Sequence, residues 1–191
     1  MRVGITGYAT AGKDVIADVL TSEFDFVKVN MSDPLDHYLQ VLDPIVTFWA
    51  DHNIGMRSVG YRRMREKMSY TDAKKNVGVR RLLQRLGTDV GRDIDPDMWV
   101  KVMVRNTQPW IDAGGHTVTT GIRFANEAAA MDRLIYVHRP GVGPANDHPS
   151  EDMTGVFAQA HLTITNNGTV DDLRDIARMV AADLVLGPVF K

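Results

Sequence analysis

Lys13 follows two glycines at a spacing suited to holding phosphate. Gly7-Tyr8-Ala9-Thr10-Ala11-Gly12-Lys13 spells GxxxxGK, directly after the apolar run Val3-Gly4-Ile5-Thr6 and just before Val15, Ile16, Val19 and Leu20. A strand, a glycine-bounded turn and a helix, in that order, are what a phosphate-cradling loop requires. The glycines let the backbone curl so that the N–H groups of Ala9 to Asp14 face an anion. A helix opening near Gly12 adds its positive dipole end, and Lys13 brings a mobile cation to the phosphoryl group being moved. Gly7, Ala9, Thr10, Ala11, Gly12, Lys13, Asp14 and Val15 are the expected nucleotide-holding residues. Asp14 stands where such loops usually carry the Ser or Thr that holds magnesium, so its carboxylate is the expected Mg2+ contact, through water. The plain alternative is a glycine-rich turn ending in a solvated lysine.

Bringing two polyanions together demands cations from several parts of the chain. Arg80, Arg81, Arg85 and Arg92 lie on or near one expected helix, Arg123 at the end of an expected strand, and Arg139 at the entry to a glycine- and proline-bearing loop over 139–150. Arginine suits the task because its planar fork grips two oxygens at once. The ordinary alternative for the helical group is a solvated face paired with Asp89 and Asp93. Tyr61, Tyr70 and Trp99 offer flat surfaces to a base, although an aromatic at helical spacing is more often core, and core is favoured for Trp99. His148 and Glu151 have a spacing that serves metals on helices, but no other His or acidic cluster completes a zinc site. His37, His52, His116, His138 and His161 form no pattern.

The elements that must position these groups alternate. Residues 3–6 read as a buried parallel strand and 14–22 as its helix. A strand over 26–29 precedes a helix opened by Ser32-Asp33-Pro34 and stopped by Pro44. The segment 47–75 resists assignment apart from a helix over 61–67. Helices follow over 79–90 and from Asp95-Pro96-Asp97 toward Asn106. Strands over 117–120, 134–138 and 160–164 come next, then an Asn166-Asn167-Gly168 turn and a last helix over 170–184. Strands alternating with helices imply one α/β domain with a parallel sheet covered on both faces.

Composition narrows the class. A chain of 191 residues buries a sizeable core unaided. Without cysteine, disulfides, thiolate metal sites and thiol nucleophiles are excluded. Its 22 basic and 24 acidic residues give a formal charge of -2, which provides no global field for nucleic acid polymers or membranes. No apolar stretch has membrane-span length and no signal peptide is visible, so a cytoplasmic location is expected.

Five segments in order carry a resemblance: the GKD-type loop; Leu83-Gln84-Arg85-Leu86-Gly87-Thr88 with Arg92, followed by Asp95-Pro96-Asp97-Met98-Trp99; Arg123-Phe124-Ala125-Asn126-Glu127; His148-Pro149-Ser150-Glu151; and Thr165-Asn166-Asn167-Gly168-Thr169. From Gly7 to Leu173 this order resembles the bacteriophage-type deoxynucleoside monophosphate kinases and, more distantly, phosphomevalonate and dephospho-coenzyme A kinases. The resemblance implies a three-layer P-loop NTPase fold, nucleoside monophosphate kinase-like, with a mostly parallel sheet of about five strands. It also implies a helical acceptor-binding insertion over about 32–110 and a lid-like loop over about 139–152. The activity it implies is ATP- and Mg2+-dependent phosphorylation of a deoxynucleoside monophosphate. Lys13, Arg92, Arg123 and Arg139 would be catalytic. Ser32, Asp33, Arg80, Gln84, Thr88, Arg92, Trp99 and Glu127 would hold the acceptor, and Asn166 and Asn167 would lie near the donor base, with Asn167 as the contact. The partners are these small molecules, and the resemblance admits a homodimer, in a host cytoplasm if phage-encoded. Two positions depart from the pattern. Val15 replaces a Thr, and Thr120-Gly121 stand where the strand usually ends in Asp. These losses keep open a nucleotide-binding protein with decayed catalysis, beside a kinase of another small phosphorylated metabolite.

Overall fold

The computed structural model describes residues 1–51, 55–145 and 147–187; His52 lies outside the described residues. In chain order the elements begin with β1 (Arg2–Thr6), α1 (Lys13–Glu23), β2 (Phe26–Asn30), α2 (Asp33–Leu42), β3 (Ile45–Asp51), β4 (Gly55–Gly60), α3 (Tyr61–Arg65) and α4 (Tyr70–Ala73). Next come α5 (Val77–Gln84), a π-helical segment (Arg85–Val90), α6 (Gly91–Ile94), α7 (Met98–Asp112) and β5 (His116–Thr120). The chain closes with α8 (Ala125–Ala129), β6 (Arg133–His138), a short 3-10 turn (Pro149–Glu151), α9 (Thr154–Phe157), β7 (Leu162–Thr165) and α10 (Val170–Leu186). They form two compact units, one of Met1–Met31 with Val100–Lys191 and one of Ser32–Trp99.

The first unit is built on a five-stranded sheet in the order β2-β5-β1-β6-β7, with every pair parallel. Parallel strands need helical crossovers, and those crossovers bury the sheet. Val3, Ile5, Val118 and Val137 pack against Ile16, Ala17 and Leu20 of α1 and Leu173, Ala177 and Ala181 of α10. The other face is so close at Gly4 that a Cβ there would come within 2.6 Å of Met131. Arg2 fastens α7 to β1 by donating from Nε to Thr107 Oγ1 at 3.1 Å. The expected three-layer α/β arrangement is therefore present, with each expected strand lengthened or shifted by one or two residues.

The second unit spans Ser32–Trp99, so the insertion expected over about 32–110 divides at Trp99, and most of α7 belongs to the first unit. It is not helical throughout. The unassigned segment contains the antiparallel hairpin β3–β4. Its β-branched and aromatic run Ile45-Val46-Thr47-Phe48-Trp49 suits a strand, but the charges that follow hide the alternation. Leu39, Tyr61, Met64, Ala73, Val79 and Leu83 form the core of this unit. Asp36 ties it together, accepting from Tyr61 Oη at 2.6 Å and from Arg65 Nε at 2.9 Å.

Candidate active site

Four strands of the first unit deliver polar groups at their carboxyl ends, the edge at which open parallel sheets bind ligands. β1 runs into the glycine loop, β5 into Gly121 and Arg123, β6 into Arg139, and β7 into Asn166. The loop has the predicted form, with positive φ at Gly7 (143°), Thr10 (64°) and Gly12 (105°). Gly12 is required twice over. Its φ is left-handed, and a Cβ would lie 2.6 Å from Leu173 Cδ2 and 2.8 Å from Asn166 Nδ2. Lys13 opens α1, and its amine donates to Tyr8 O at 2.5 Å, folded onto the loop. Burial above all, and then the charge of Arg123, lower its pKa to about 8, while Asp14 and Glu151 pull it back up.

Arg123 and Arg139 flank this amine from opposite sides of β1 in the sheet order. Arg123 Nη1 donates to Glu151 Oε1 at 2.5 Å. Arg139 reaches from β6 to the loop, donating from Nη1 to Thr10 O at 3.2 Å. A cavity of about 240 Å³ opens beside the loop, lined by residues that include Thr10, Lys13, Asp14, Val15, Arg139 and Asn166. The two asparagines of the turn differ in placement. Asn167 is exposed, whereas the buried Asn166 lines the cavity and donates from Nδ2 to Ala11 O at 2.8 Å. Side chains alternate along extended chain, so a shift of one residue exchanges inside for outside.

The chemistry of these residues suits ATP: the loop supplies curled backbone, Lys13 and Arg139 supply charge, and a cavity opens beside them. For Mg2+ the chain offers little. Among the described residues no group of three acidic or histidine side chains is arranged to hold a metal ion. Asp14 is 77% exposed at its side chain and sits 3.3 Å from Lys28 Nζ. That is compatible with magnesium, which keeps several waters and binds through one carboxylate plus substrate phosphates. The absence of Asp at 121 has a steric counterpart. Gly121 has φ 79°, and a Cβ there would stand 2.8 Å from Asn30 Oδ1, so the Asn30 amide fills that space.

Glu127, expected to contact substrate, is tied into the local backbone. It is 3% exposed, and its Oε2 accepts the backbone N–H groups of Arg123 (2.7 Å) and Phe124 (3.2 Å). In the second unit Trp99 takes the core place that its spacing favours. It is 4% exposed, and its indole N–H donates to Gly87 O at 2.7 Å. Tyr61 is fully buried, and Tyr70 donates to Ser32 O at 3.1 Å beneath Lys74, whose amine is 4.1 Å from the ring centre. Ser32 caps α2, and Asp33 occupies its first turn.

The remaining acceptor residues, Arg80, Gln84, Thr88 and Arg92, recur every fourth position along α5, the π-helical segment and α6. In a pure α-helix four residues overshoot a turn by about 40°, so such a row spirals away. The wider π turn undershoots and cancels the drift. The adjacent row shows the result, because Val79, Leu83, Gly87 and Gly91 are all buried. The four polar residues therefore keep a common face beside that row, with Arg92 Nη1 donating to Pro96 O at 3.1 Å.

The sequence pattern of the deoxynucleotide monophosphate kinases matches residues 45–176, more than half of the chain. The chain belongs to the deoxynucleotide monophosphate kinase family. A protein of Acanthamoeba polyphaga mimivirus, provisionally described as a deoxynucleotide monophosphate kinase, is 24% identical over 184 residues, covering 89% of this chain and 90% of its own. Dephospho-CoA kinase from Campylobacter jejuni superposes with a TM-score of 0.51 at 12% identity, covering 96% of both chains, and so shares the fold. With the five-stranded parallel sheet, this is a P-loop kinase fold. Membership in the family makes the protein a phosphotransferase acting on a nucleotide. The family match begins after the glycine loop, so that loop is an independent sign of the same chemistry. Two roles escaped sequence reasoning: the Tyr8 carbonyl as the partner of the Lys13 amine, and Glu151 as the partner of Arg123. Glu151 had two signals, its place in the His148-Pro149-Ser150-Glu151 segment and its spacing from His148, and neither named Arg123 as its partner.

Proposed function

We propose that this kinase transfers the γ-phosphoryl group of ATP, with Mg2+, to the phosphate of a deoxynucleoside monophosphate, giving a diphosphate for DNA precursor synthesis. A phosphate oxygen of the acceptor forms the new P–O bond. The bond from the γ-phosphorus to the bridging oxygen breaks, and ADP leaves with that electron pair. The acceptor oxygen is already anionic, so no general base is needed, and catalysis is positioning and charge neutralisation. The observation that carries the reading is the convergence of Lys13, Arg123 and Arg139 from three strand ends around a glycine loop.

In this reading the loop from Gly7 to Val15 cradles the donor and Lys13 neutralises the moving phosphoryl group. Arg123 and Arg139 hold phosphate oxygens, and Asn166 fixes the wall of the donor cavity. Ser32, Asp33, Arg80, Gln84, Thr88 and Arg92 receive the acceptor. When bound, Mg2+ would neutralise the donor phosphates, with Asp14 orienting its waters. The second reading, a nucleotide-binding protein with decayed catalysis, draws on Val15 and Gly121.

An ADP-release assay with ATP and Mg2+ against the four deoxynucleoside monophosphates, their ribose forms, phosphomevalonate and dephospho-coenzyme A separates the readings. Turnover with a deoxynucleotide is expected. Silence across the panel, with ATP still bound, would overturn the kinase reading in favour of the second.

A further inference from the structure

Arg123 is bracketed by two buried acids. Glu127 holds its backbone N–H at 2.7 Å, and Glu151 holds its guanidinium at 2.5 Å. Glu151 is the last residue of the 3-10 turn that ends the 139–151 loop, and its side chain is 10% exposed against 34% for Arg123. Both its oxygens are engaged: Oε1 accepts from Arg123 Nη1, and Oε2 accepts the backbone N–H of Ala145 at 3.2 Å. A carboxylate so enclosed is costly unless paired, and breaking such a pair is worse than never having had it. Its charge also reaches Lys13, opposing the push that Arg123 exerts on that amine.

We propose that Glu151 is the positioning residue for Arg123, fixing the orientation in which the guanidinium meets the transferring phosphate. This rests on the phosphoryl-transfer reading above. A guanidinium carries five N–H donors in a rigid fork, so a carboxylate that holds one of them fixes the orientation of the whole plane. Without that anchor, the mutual repulsion of Lys13 and Arg123 is no longer offset by the carboxylate. Phosphoryl transfer depends on placement, and a displacement of about 1 Å can cost about a hundredfold. Glu151 touches neither substrate nor reacting atoms; it acts through Arg123.

The test is a double-mutant cycle of Glu151→Gln and Arg123→Gln, read in kcat, in KM for each nucleotide, in the Mg2+ concentration for half-maximal turnover, and in tripolyphosphate affinity by calorimetry. E151Q should lower kcat by about tenfold to a hundredfold, with an unchanged Mg2+ requirement and a smaller effect on KM. In the R123Q background E151Q should cost less than about twofold, because the group it positions is gone. Glu151→Asp, which keeps the charge, should recover part of the loss; a Glu151→Asp protein no better than E151Q would count against the charge pairing. Thermal melts identify any variant that fails to fold, and E151D then carries the cycle. Losses that multiply in the double variant would overturn the proposal, as would a raised Mg2+ requirement in E151Q, which would make the carboxylate a metal partner. If the wild-type protein turns over no acceptor, the functional reading fails on its own. Tripolyphosphate binding that is weakened by E151Q only when Arg123 is present would still uphold the pairing.

Discussion

Raising the pH through 8 should disarm the free enzyme before it disarms the nucleotide-bound one. Lys13 is the cause. Burial and the neighbouring Arg123 charge bring its amine from an ordinary 10.5 to about 8, against the smaller pull of Asp14 and Glu151. At pH 9 only about a tenth of the free protein then carries the charge, so kcat/KM for ATP should fall about tenfold per pH unit above 8. A bound polyphosphate places negative charge beside the amine and raises its pKa again, so the fall in kcat should lie at higher pH. Stability moves the other way. The folded pKa lies below the unfolded value, so between about 8 and 10.5 the unfolded chain binds more protons, and this group's contribution to stability rises with pH across that window. Activity lost there is not unfolding, and a thermal melt at each pH separates the two. The assay is initial-rate ADP release from pH 6.5 to 10 at constant ionic strength, repeated with Lys13→Arg, whose charge persists throughout. Lys13→Arg should show lower activity but no descending limb near pH 8. A wild-type kcat/KM that stays flat to pH 9.5, or a limb of unchanged position in Lys13→Arg, would refute the reasoning.

The buried asparagine gives a second prediction. Asn166→Asp turns a donor facing Ala11 O into an acceptor, which should cost about 1–3 kcal/mol and lower Tm by several degrees while weakening ATP binding. Asn167→Ala should leave both near wild type; equal effects of the two would refute the assignment. Gly12→Ala should destabilise by about 1–2 kcal/mol from its left-handed backbone. Crowding against Leu173 and Asn166 should add about 1–3 kcal/mol, read by urea denaturation. Gly121→Asp, which restores the acid the family pattern carries, should fail to lower the Mg2+ requirement and should reduce Tm, because the new side chain meets the Asn30 amide. A gain in magnesium affinity at unchanged Tm would show the space to be open.

The sequence by itself determined the chemistry and most of the frame. GxxxxGK after a short apolar run leaves few options, because only glycine takes the required dihedrals without strain and only a helix start supplies the converging N–H groups. The alternation of strands and helices likewise fixed a parallel sheet, and a parallel sheet fixes which edge holds the site. Tertiary structure decided whatever depends on partners distant along the chain. Asn166 rather than Asn167 faces the loop because β7 fixes the register, which no local pattern shows across an Asn-Asn pair. The carboxylates of Glu127 and Glu151 read alike in sequence; one is consumed by backbone N–H groups and the other by a guanidinium 28 residues away. Trp99 became core because Gly87 offers its carbonyl twelve residues back. The β3–β4 hairpin stayed hidden because its stability lies in cross-strand pairs, and no periodicity within one strand reports a partner.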